Sequence, residues 1–437
     1  MDKRIFSFLF LLGLILPQSI AAQTQGIDLA LAEQYFDEAQ AICAKDNGAL
    51  WGISLAGPMM FVDRETRMIA ANHSDSEGRL TKRGKIFIGK LPDEINISNT
   101  ALKWAGVKWT MVSYPLPVDK QVRAQLMLHE LFHRVQEDLG FAAANPANNH
   151  LDSFTGRLWL QYEWRALQRA LTAQGSERQK AIADALMFRA YRRNLFPQAA
   201  RSENELEINE GLAEYTGVKL CGTSDAVSAR FFAGELRRFE SRPTFVRSFA
   251  YASGPAYGLL LDAIHPHWRK AIKQLGDMGL ILAKAHRVKL PVNFKQAAER
   301  RAKPYDCTSL LALESERESR REKRVAGYRA QFIEGAVLSI PLTNEVQYSF
   351  NPNNVEVLDD ANTVFPNLRI SDAWGILNVT GGAVLTRLDG RVVKVTVAAP
   401  TNLPTTSLQG DGWTLELKDG WQVVRGARPG DFTLKRQ

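Results

Sequence analysis

The hydrophobic pattern divides the chain into a long helical region and a shorter region that is rich in strands. Between residues 29 and 330, apolar positions recur mainly at the three- and four-residue spacing of amphipathic helices. This spacing predicts helices at residues 29–44, 119–139, 156–175, 177–196, 203–218, 226–239, 255–263, 268–274 and 294–301. After Gly335 apolar and polar positions alternate, which is the period of a β-strand with one buried face.

Strands are predicted at both ends of the helical region. Short runs of apolar and β-branched residues predict strands at residues 50–62, 68–71, 85–88 and 108–114. Further strands are predicted at residues 336–341, 345–350, 392–398 and 413–417, with hairpin turns at Asp389-Gly390 and Asp419-Gly420. The expected fold class is therefore α+β. A small N-terminal mixed sheet and a mostly helical part form one domain at residues 23–330, and a β-rich domain follows at residues 331–437.

The first residues have the composition of a secretory signal. Lys3 and Arg4 precede an apolar run at residues 5–16, and Ala21 and Ala22 end a stretch of small residues suited to cleavage. We expect residues 1–22 to be removed. No later apolar run in the sequence reaches the roughly 20 residues that cross a bilayer. The sequence therefore predicts a secreted or periplasmic protein that is not stably inserted in a membrane after cleavage.

The charge pattern gives little information about partners. The 437 residues carry a formal net charge of +8, which is a mild excess, and we expect no nucleic-acid partner. Arg and Glu alternate at residues 299–329. Alternating signs predict a solvated helix with i,i+4 ion pairs rather than an anion-binding or envelope-surface site.

The three cysteines, Cys43, Cys221 and Cys307, match no zinc-binding spacing. In an oxidising compartment they predict one disulfide and one remaining thiol. We favour a bond between Cys221 and Cys307, because both residues follow helical segments.

The stretch His129-Glu130-Leu131-Phe132-His133 predicts half of a zinc site. On the helix at residues 119–139, two imidazoles one turn apart project from the same face, and a dication can bind both. Glu130 lies beside the first imidazole and can take a proton from a metal-bound water without binding the metal itself. The five-residue pattern alone is short, and a helix can carry it without binding any metal.

A second helix supplies the missing donor. Catalytic zinc takes three protein ligands and keeps one position open for water, and Glu210 is the candidate third ligand. With Glu203, Glu207 and Glu214 it forms a column of carboxylates that would only repel one another on a plain surface helix, and a bound dication would explain the column. Gly211 leaves room for the close approach of another helix. We expect Glu214 to accept a hydrogen bond from one of the ligand histidines.

This combination resembles the gluzincin metallopeptidases, the group that includes thermolysin and the aminopeptidase N-like enzymes. Those enzymes take the third ligand from a downstream helix and have an acidic residue four positions later, as residues 209–215 do here. The likeness covers about residues 50–261 and is limited to motifs outside the two helices. It implies a zincin-like fold with a bound Zn²⁺. The long connection from His133 to Glu210 is a departure, and the predicted helical hairpin within it, residues 156–196, would wall or cover the cleft.

The resemblance also implies a proton donor that stabilises the oxyanion of the reaction. Tyr251-Ala252-Ser253-Gly254 is similar to the Tyr-x-x-Gly element that carries this tyrosine in the aminopeptidase branch, so Tyr251 is the candidate, with Tyr257 and His150 as alternatives. The enzymes of that branch bind the free amino terminus of the substrate through the Glu of a Gly-x-Met-Glu-Asn strand. Residues 57–61 here lack this Glu. We therefore expect an endopeptidase. Residues 50–62 or 108–114 would form the edge strand that pairs with an extended substrate.

The sequence thus predicts a secreted zinc peptidase that acts on a peptide or protein substrate. His129, His133 and Glu210 hold the metal, Glu130 is the general base, and Tyr251 steadies the oxyanion. Two alternatives stay open. One is a zinc hydrolase of amide or ester bonds in envelope or cell-wall material. The other is a non-enzymatic envelope protein with a structural or vestigial metal site and a partner-binding C-terminal domain.

Overall fold

The computed structural model describes residues 26–291, 293–351, 354–401 and 407–436. The predicted signal peptide, residues 1–22, lies outside these ranges. Helices make up 46% and strands 22% of the structure, which confirms the α+β class.

Helices occupy the region between about residues 120 and 334, together with one helix near the start of the described chain. The α-helices are α1 (Leu29–Asp46), α2 (Lys120–Val135), α3 (Phe154–Thr172), α4 (Gly175–Leu195), α5 (Ala199–Leu206), α6 (Leu212–Leu220), α7 (Asp225–Phe239), α8 (Ser248–Asp262), α9 (Trp268–Leu275), α10 (Met278–Ala285), α11 (Phe294–Ala302) and α12 (Cys307–Arg329). Two π-helical segments, Glu207–Gly211 and Ala330–Glu334, continue α5 and α12.

The strands fall into two groups, one before α2 and one after α12. The first group is β1 (Met59–Asp63), β2 (Met68–Ala71), β3 (Thr81–Arg83), β4 (Ile86–Lys90), β5 (Thr100–Trp104) and β6 (Val107–Tyr114). The second is β7 (Val337–Pro341), β8 (Gln347–Phe350), β9 (Glu356–Val357), β10 (Asn362–Phe365), β11 (Leu368–Asp372), β12 (Gly375–Val379), β13 (Ala383–Leu388), β14 (Arg391–Ala398), β15 (Ser407–Gly410), β16 (Trp413–Leu417), β17 (Trp421–Arg425) and β18 (Phe432–Arg436).

The first group forms one mixed sheet, in the order β3-β4-β2-β1-β6-β5. Strands β1 and β6 run parallel, and the other pairs are antiparallel, as the predicted mixed sheet requires. Side chains alternate across β1, so Phe61 faces the helical core while Met60 and Val62 face a smaller core on the other side. The predicted edge strands are wrong: β1 and β6 lie inside the sheet, and β5 is the edge strand next to α2.

The helical hairpin in the long connection belongs to the core. Helices α3 and α4 pack together as predicted, but α3 is buried along almost its whole length, including Trp164 and Leu167. A helix buried on all sides packs against neighbours on every face. The expectation that this hairpin walls or covers the cleft is therefore wrong.

The second group of strands forms a β-sandwich. A seven-stranded sheet has the order β17-β18-β7-β14-β13-β10-β9, and a five-stranded sheet has the order β15-β16-β12-β11-β8. Leu338 and Val395 of the first sheet share one core with Ile370 and Leu415 of the second. The two sheets therefore pack face to face.

One of the two predicted hairpins is confirmed. Asp389 and Gly390 both have positive φ, +49° and +78°, and join the paired strands β13 and β14. Asp419-Gly420 instead joins β16 to β17, which lie in different sheets, so that turn moves the chain from one sheet to the other.

Several other boundaries differ from the sequence prediction. Residues 50–58 are turn and coil, and β1 begins only at Met59. Helix α8 begins at Ser248 and contains Pro255 in its interior, because burial of its faces outweighs the missing backbone hydrogen bond. Helix α10 was not predicted.

The expected disulfide is also wrong. All three cysteines are free thiols. Cys221, which directly follows α6, contacts the carbonyl oxygen of Val218 in that helix, whereas Cys307 accepts a hydrogen bond from the Tyr162 hydroxyl at 3.0 Å. The position of a cysteine after a helix does not determine which other segment its thiol contacts.

Helix α12 is solvated on one side only. Arg320 and Glu316 form the predicted i,i+4 type of surface pair. Glu314, however, is buried and binds Arg157 of α3 at 2.7 Å. The arginine-rich helix therefore packs against the helical core.

Candidate metal centre

Helix α2 presents the two histidines side by side. The Asp119 carboxylate accepts a hydrogen bond from the Val122 backbone N–H and caps the helix start. Leu131 and Phe132 are buried in the core and fix the rotation of the helix about its axis. His129 and His133 then point into the same space, and their Nε2 atoms are 3.1 Å apart.

Glu210 approaches from the opposite side. Its Oε2 lies 3.6 Å from Nε2 of His129 and 3.5 Å from Nε2 of His133, and one donor atom from each residue falls within 4.8 Å of the others. Ligands bound 2.0–2.1 Å from a tetrahedral zinc are themselves about 3.3 Å apart. The spacing of these three metal-binding atoms thus fits one shared metal ion, and His129, His133 and Glu210 together form the donor cluster.

Close helix packing brings Glu210 to the histidines. A Cβ atom on Gly217 would lie 2.5 Å from the Gln125 carbonyl oxygen, so α6 can approach α2 this closely only with glycine there. A Cβ on Gly254 of α8 would lie 2.3 Å from the Gly211 Cα. Gly211 therefore does admit another helix, as predicted. The π-helical segment that carries Glu210 is a frequent irregularity at functional sites.

Hydrogen bonds fix the tautomer of both imidazoles. Nδ1–H of His129 donates to Oε2 of Glu214 at 2.8 Å, the contact that the sequence predicted. Nδ1–H of His133 donates to Oε1 of Gln136 at 2.8 Å. The Gln136 amide nitrogen in turn donates to the Asn209 side chain, which assigns its oxygen to the histidine. Both Nε2 atoms consequently direct lone pairs at the same point.

Gln125, Gln136 and Asn209 were not predicted as parts of the site. Gln125 donates to Glu214 at 2.6 Å, and Asn209 donates to Glu210 at 3.2 Å. Asn209 directly precedes the third donor, but nothing in the spacing of the two glutamines distinguishes them from ordinary helix residues.

The assembled group of acceptors can hold a cation. Two imidazole lone pairs and a carboxylate meet in a buried place, where unpaired acceptors are costly. With protons as the only cations, burial lowers the pKa of His129, but its hydrogen bonds with Glu210 and Glu214 outweigh burial and raise the pKa well above its usual value. Burial raises the pKa of Glu210, yet the two histidines outweigh this and hold it well below its usual value.

Glu130 lies beside the donor cluster, and one of its carboxylate oxygens is left without a hydrogen bond among the described residues. It is buried, it lines the same cavity as both histidines, and its Oε2 has no hydrogen-bond partner among the described residues. Burial raises the pKa of this carboxyl group. A carboxylate with a raised pKa and a vacant oxygen is suited to accept a proton.

Tyr251 is the tyrosine that reaches the site. Its hydroxyl donates to Oε2 of Glu210 at 2.6 Å, and its ring stacks on the His129 ring with centroids 5.6 Å apart. The two alternatives lie elsewhere. The Tyr257 hydroxyl donates to buried Glu163, and His150 pairs with buried Glu203.

Only half of the carboxylate column faces the donor cluster. Glu203 forms a two-point ion pair with Arg192, both contacts at 2.9 Å, and Glu207 binds Arg189 at 2.8 Å. The expectation that a dication explains the whole column is therefore wrong. Buried arginines neutralise the first two carboxylates, while Glu210 and Glu214 face the histidines.

A cavity of about 1490 Å³ opens in front of the donors. Strand β5 and helix α2 form one wall, α7 forms a second, and strands β8, β11 and β12 of the sandwich form a third. Arg247 also lines the cavity and donates to Oε1 of Glu210 at 3.1 Å. The donor cluster is thus accessible from a wide cleft.

No protein-family model, curated protein or solved structure matches this chain. Over the ranges that the structure describes, every helix is too short or too polar to cross a membrane.

Proposed function

We propose that this protein is a secreted zinc-dependent peptidase of the gluzincin type with a zincin-like catalytic fold. The observation that carries the proposal is the convergence of His129, His133 and Glu210 beside Glu130, whose Oε2 has no hydrogen-bond partner among the described residues. An unpartnered buried carboxylate is costly for a fold and is common where a carboxylate acts on a substrate.

His129, His133 and Glu210 would hold the ion. Zinc bound there supplies a Lewis acid that polarises a carbonyl group and activates water for attack at neutral pH. Glu214 and Gln136 keep both imidazoles in the tautomer whose Nε2 can donate a lone pair. Arg247 holds the second carboxylate oxygen of Glu210 and so fixes the orientation of this ligand.

Glu130 and Tyr251 would carry the proton and charge changes. The vacant oxygen of Glu130 accepts a proton from the attacking water and then delivers it to the leaving amine, so the carboxylate is regenerated in each cycle. The Tyr251 hydroxyl, beside the donor cluster, donates a hydrogen bond to the oxyanion that forms from the substrate carbonyl.

An endopeptidase suits the cleft better than an exopeptidase. Residues 57–61, which would correspond to the amine-reading segment, include the start of the internal strand β1 and carry no carboxylate. The edge strand β5 lines the cleft, and among the described residues it pairs on one side only, so an extended substrate can add to the other side as a further strand.

The test compares the wild type with Glu130→Gln and Tyr251→Phe. Zinc content is measured by elemental analysis, and cleavage is measured with a library of internally quenched peptides. We expect Glu130→Gln to keep one zinc per chain and to lose hydrolysis, and Tyr251→Phe to keep zinc and lose roughly 10²–10³-fold in kcat. Full activity in Glu130→Gln, or a wild type that binds zinc but cleaves no peptide, would refute the peptidase assignment.

A further inference from the structure

The β-sandwich contributes directly to the cleft that contains the donor cluster. Tyr348, Ser349 and Phe350 of β8 line the cavity together with His129 and Glu130. Strand β8 is an edge strand: among the described residues it pairs only with β11. The cavity thus has a sheet edge on two of its walls, β5 on the helical side and β8 on the sandwich side.

A chain of contacts links β8 to a proposed zinc ligand. The guanidinium of Arg247 lies 5.8 Å from the centre of the Phe350 ring and also donates to Glu210. The Phe350 ring stacks on Tyr348, with centroids 6.1 Å apart, and packs against Phe365 of the sandwich core at 4.8 Å. Tyr348 and Phe350 both pack against the sandwich core, and both also line the cleft, where Phe350 meets Arg247.

Arg369 joins the two walls. It lies in β11, opposite Ser349, and donates to the Asn378 side chain at 2.7 Å within the sandwich. Across the boundary it donates to the Asn96 side chain at 3.1 Å and to the Asp93 carbonyl oxygen at 3.0 Å, both in the segment that leads into β5. A guanidinium bound at three points positions one sheet edge relative to the other.

The shape of the cavity indicates the class of ligand. Pockets for small molecules usually measure about 300–1,000 Å³ and enclose their ligand, whereas this cleft is larger and bordered by strand edges. A strand edge offers a row of backbone donors and acceptors, which an extended polypeptide matches. Aromatic side chains beside such an edge supply contact area for apolar parts of the same chain.

We propose that β8 is a substrate-binding strand, and that Tyr348 binds a segment of an extended polypeptide substrate remote from the bond that is cleaved. This inference rests on the proposed peptidase function and gives the sandwich a defined role in it. Long substrates reach β8, whereas short ones occupy only the region around the donor cluster.

The test compares Tyr348→Ala with Trp421→Ala as the matched control. Trp421 is a half-buried aromatic residue on β17, the outer strand of the other sheet, and it does not line the cavity. A peptide of about ten residues, roughly 33 Å when extended, is compared with a truncated form of about four residues that retains the cleaved bond. Melting temperature and zinc content are measured for each variant.

For Tyr348→Ala we expect kcat/KM to fall about tenfold with the long peptide, the equivalent of about 1.4 kcal/mol, and to change less than about twofold with the short one. Trp421→Ala should leave both values unchanged. An equal loss on both peptides, or no loss on either, overturns the role of β8 without affecting the peptidase assignment.

A second measurement separates this inference from the proposed function. Binding of the ten-residue peptides is measured with Glu130→Gln and with the double variant Glu130→Gln, Tyr348→Ala. We expect the double variant to bind about tenfold more weakly. If the wild type cleaves nothing, weaker binding by the double variant still supports β8 as a polypeptide-binding strand. Equal affinities, or no binding, overturn it.

Discussion

Replacing Glu214 with Gln tests whether the acceptors at the centre form a metal site. The carboxylate uses both oxygens: Oε2 accepts from Nδ1–H of His129 at 2.8 Å, and Oε1 accepts from the Gln125 amide at 2.6 Å. Glutamine has nearly the same shape but only one acceptor oxygen. Either His129 or Gln125 must then face the N–H₂ group of the new side chain. The negative charge that makes the His129 imidazole a stronger metal ligand is also lost.

The expected magnitude follows from that hydrogen bond. Loss of such an outer partner of a ligand histidine costs roughly 10–100-fold in metal affinity, which corresponds to about 1.4–2.7 kcal/mol. The Glu214 side chain is only 17% exposed, so solvent does little to replace the lost contacts. We therefore expect the loss to lie in the upper half of that range.

The assay is a competition for zinc between the protein and a fluorescent chelator of known affinity, at fixed pH. Glu205→Gln is the control, because Glu205 pairs with Arg201 on the surface of α5. Thermal unfolding with excess zinc gives a second readout, since a ligand stabilises the folded state in proportion to the logarithm of its relative concentration. Equal zinc affinity in the wild type, Glu214→Gln and Glu205→Gln would refute the assignment of His129 as a ligand supported by Glu214.

Two further predictions concern the frame around the centre. Gly254→Ala forces a Cβ to within 2.3 Å of the Gly211 Cα, so we expect a loss of about 1–3 kcal/mol in the free energy of unfolding and weaker zinc binding. The control is Gly234→Ala, where a Cβ meets nothing within 4 Å and should stabilise the protein by up to about 1 kcal/mol. Urea unfolding distinguishes the two variants. Burial raises the pKa of Asp152 from 3.8 to about 6, so the folded state binds the carboxyl proton more tightly than the unfolded state does. Proton binding at Asp152 therefore contributes about 3 kcal/mol to the free energy of unfolding below pH 3.8, and this contribution is lost as the pH rises through 6. As the pH rises from 3.8 to 6, the free energy of unfolding of Asp152→Asn should therefore fall less than that of the wild type. Urea unfolding measures this difference, and the same pH dependence in both proteins would contradict the prediction.

Much of the centre was predictable because its first half is local. The i,i+4 spacing of His129 and His133 places both rings on one face of any helix, whatever surrounds it. The capping residue Asp119 and the turn at Asp389-Gly390 are equally local, because each depends on backbone geometry within a few residues. The alternating and helical periods likewise indicated the α+β class and the change to strands near residue 335.

Contacts between distant segments could not be predicted in the same way. The column from Glu203 to Glu214 looked uniform in the sequence, but arginines from α4 neutralise its first two members and histidines from α2 face the last two. The free thiols, the buried position of β1 and β6, and the role of β5 as the edge also depend on which segments become neighbours.

The sequence by itself determined which side chains could bind a cation and on which helical faces they lie, because backbone periodicity fixes direction over one or two turns. Only the tertiary structure decided that Glu210 meets His129 and His133, that Tyr251 stacks beside them, and that β8 borders the same cleft. The physical reason is that close packing, through contacts such as Gly211 on Gly254, sets distances between segments that are far apart in the chain.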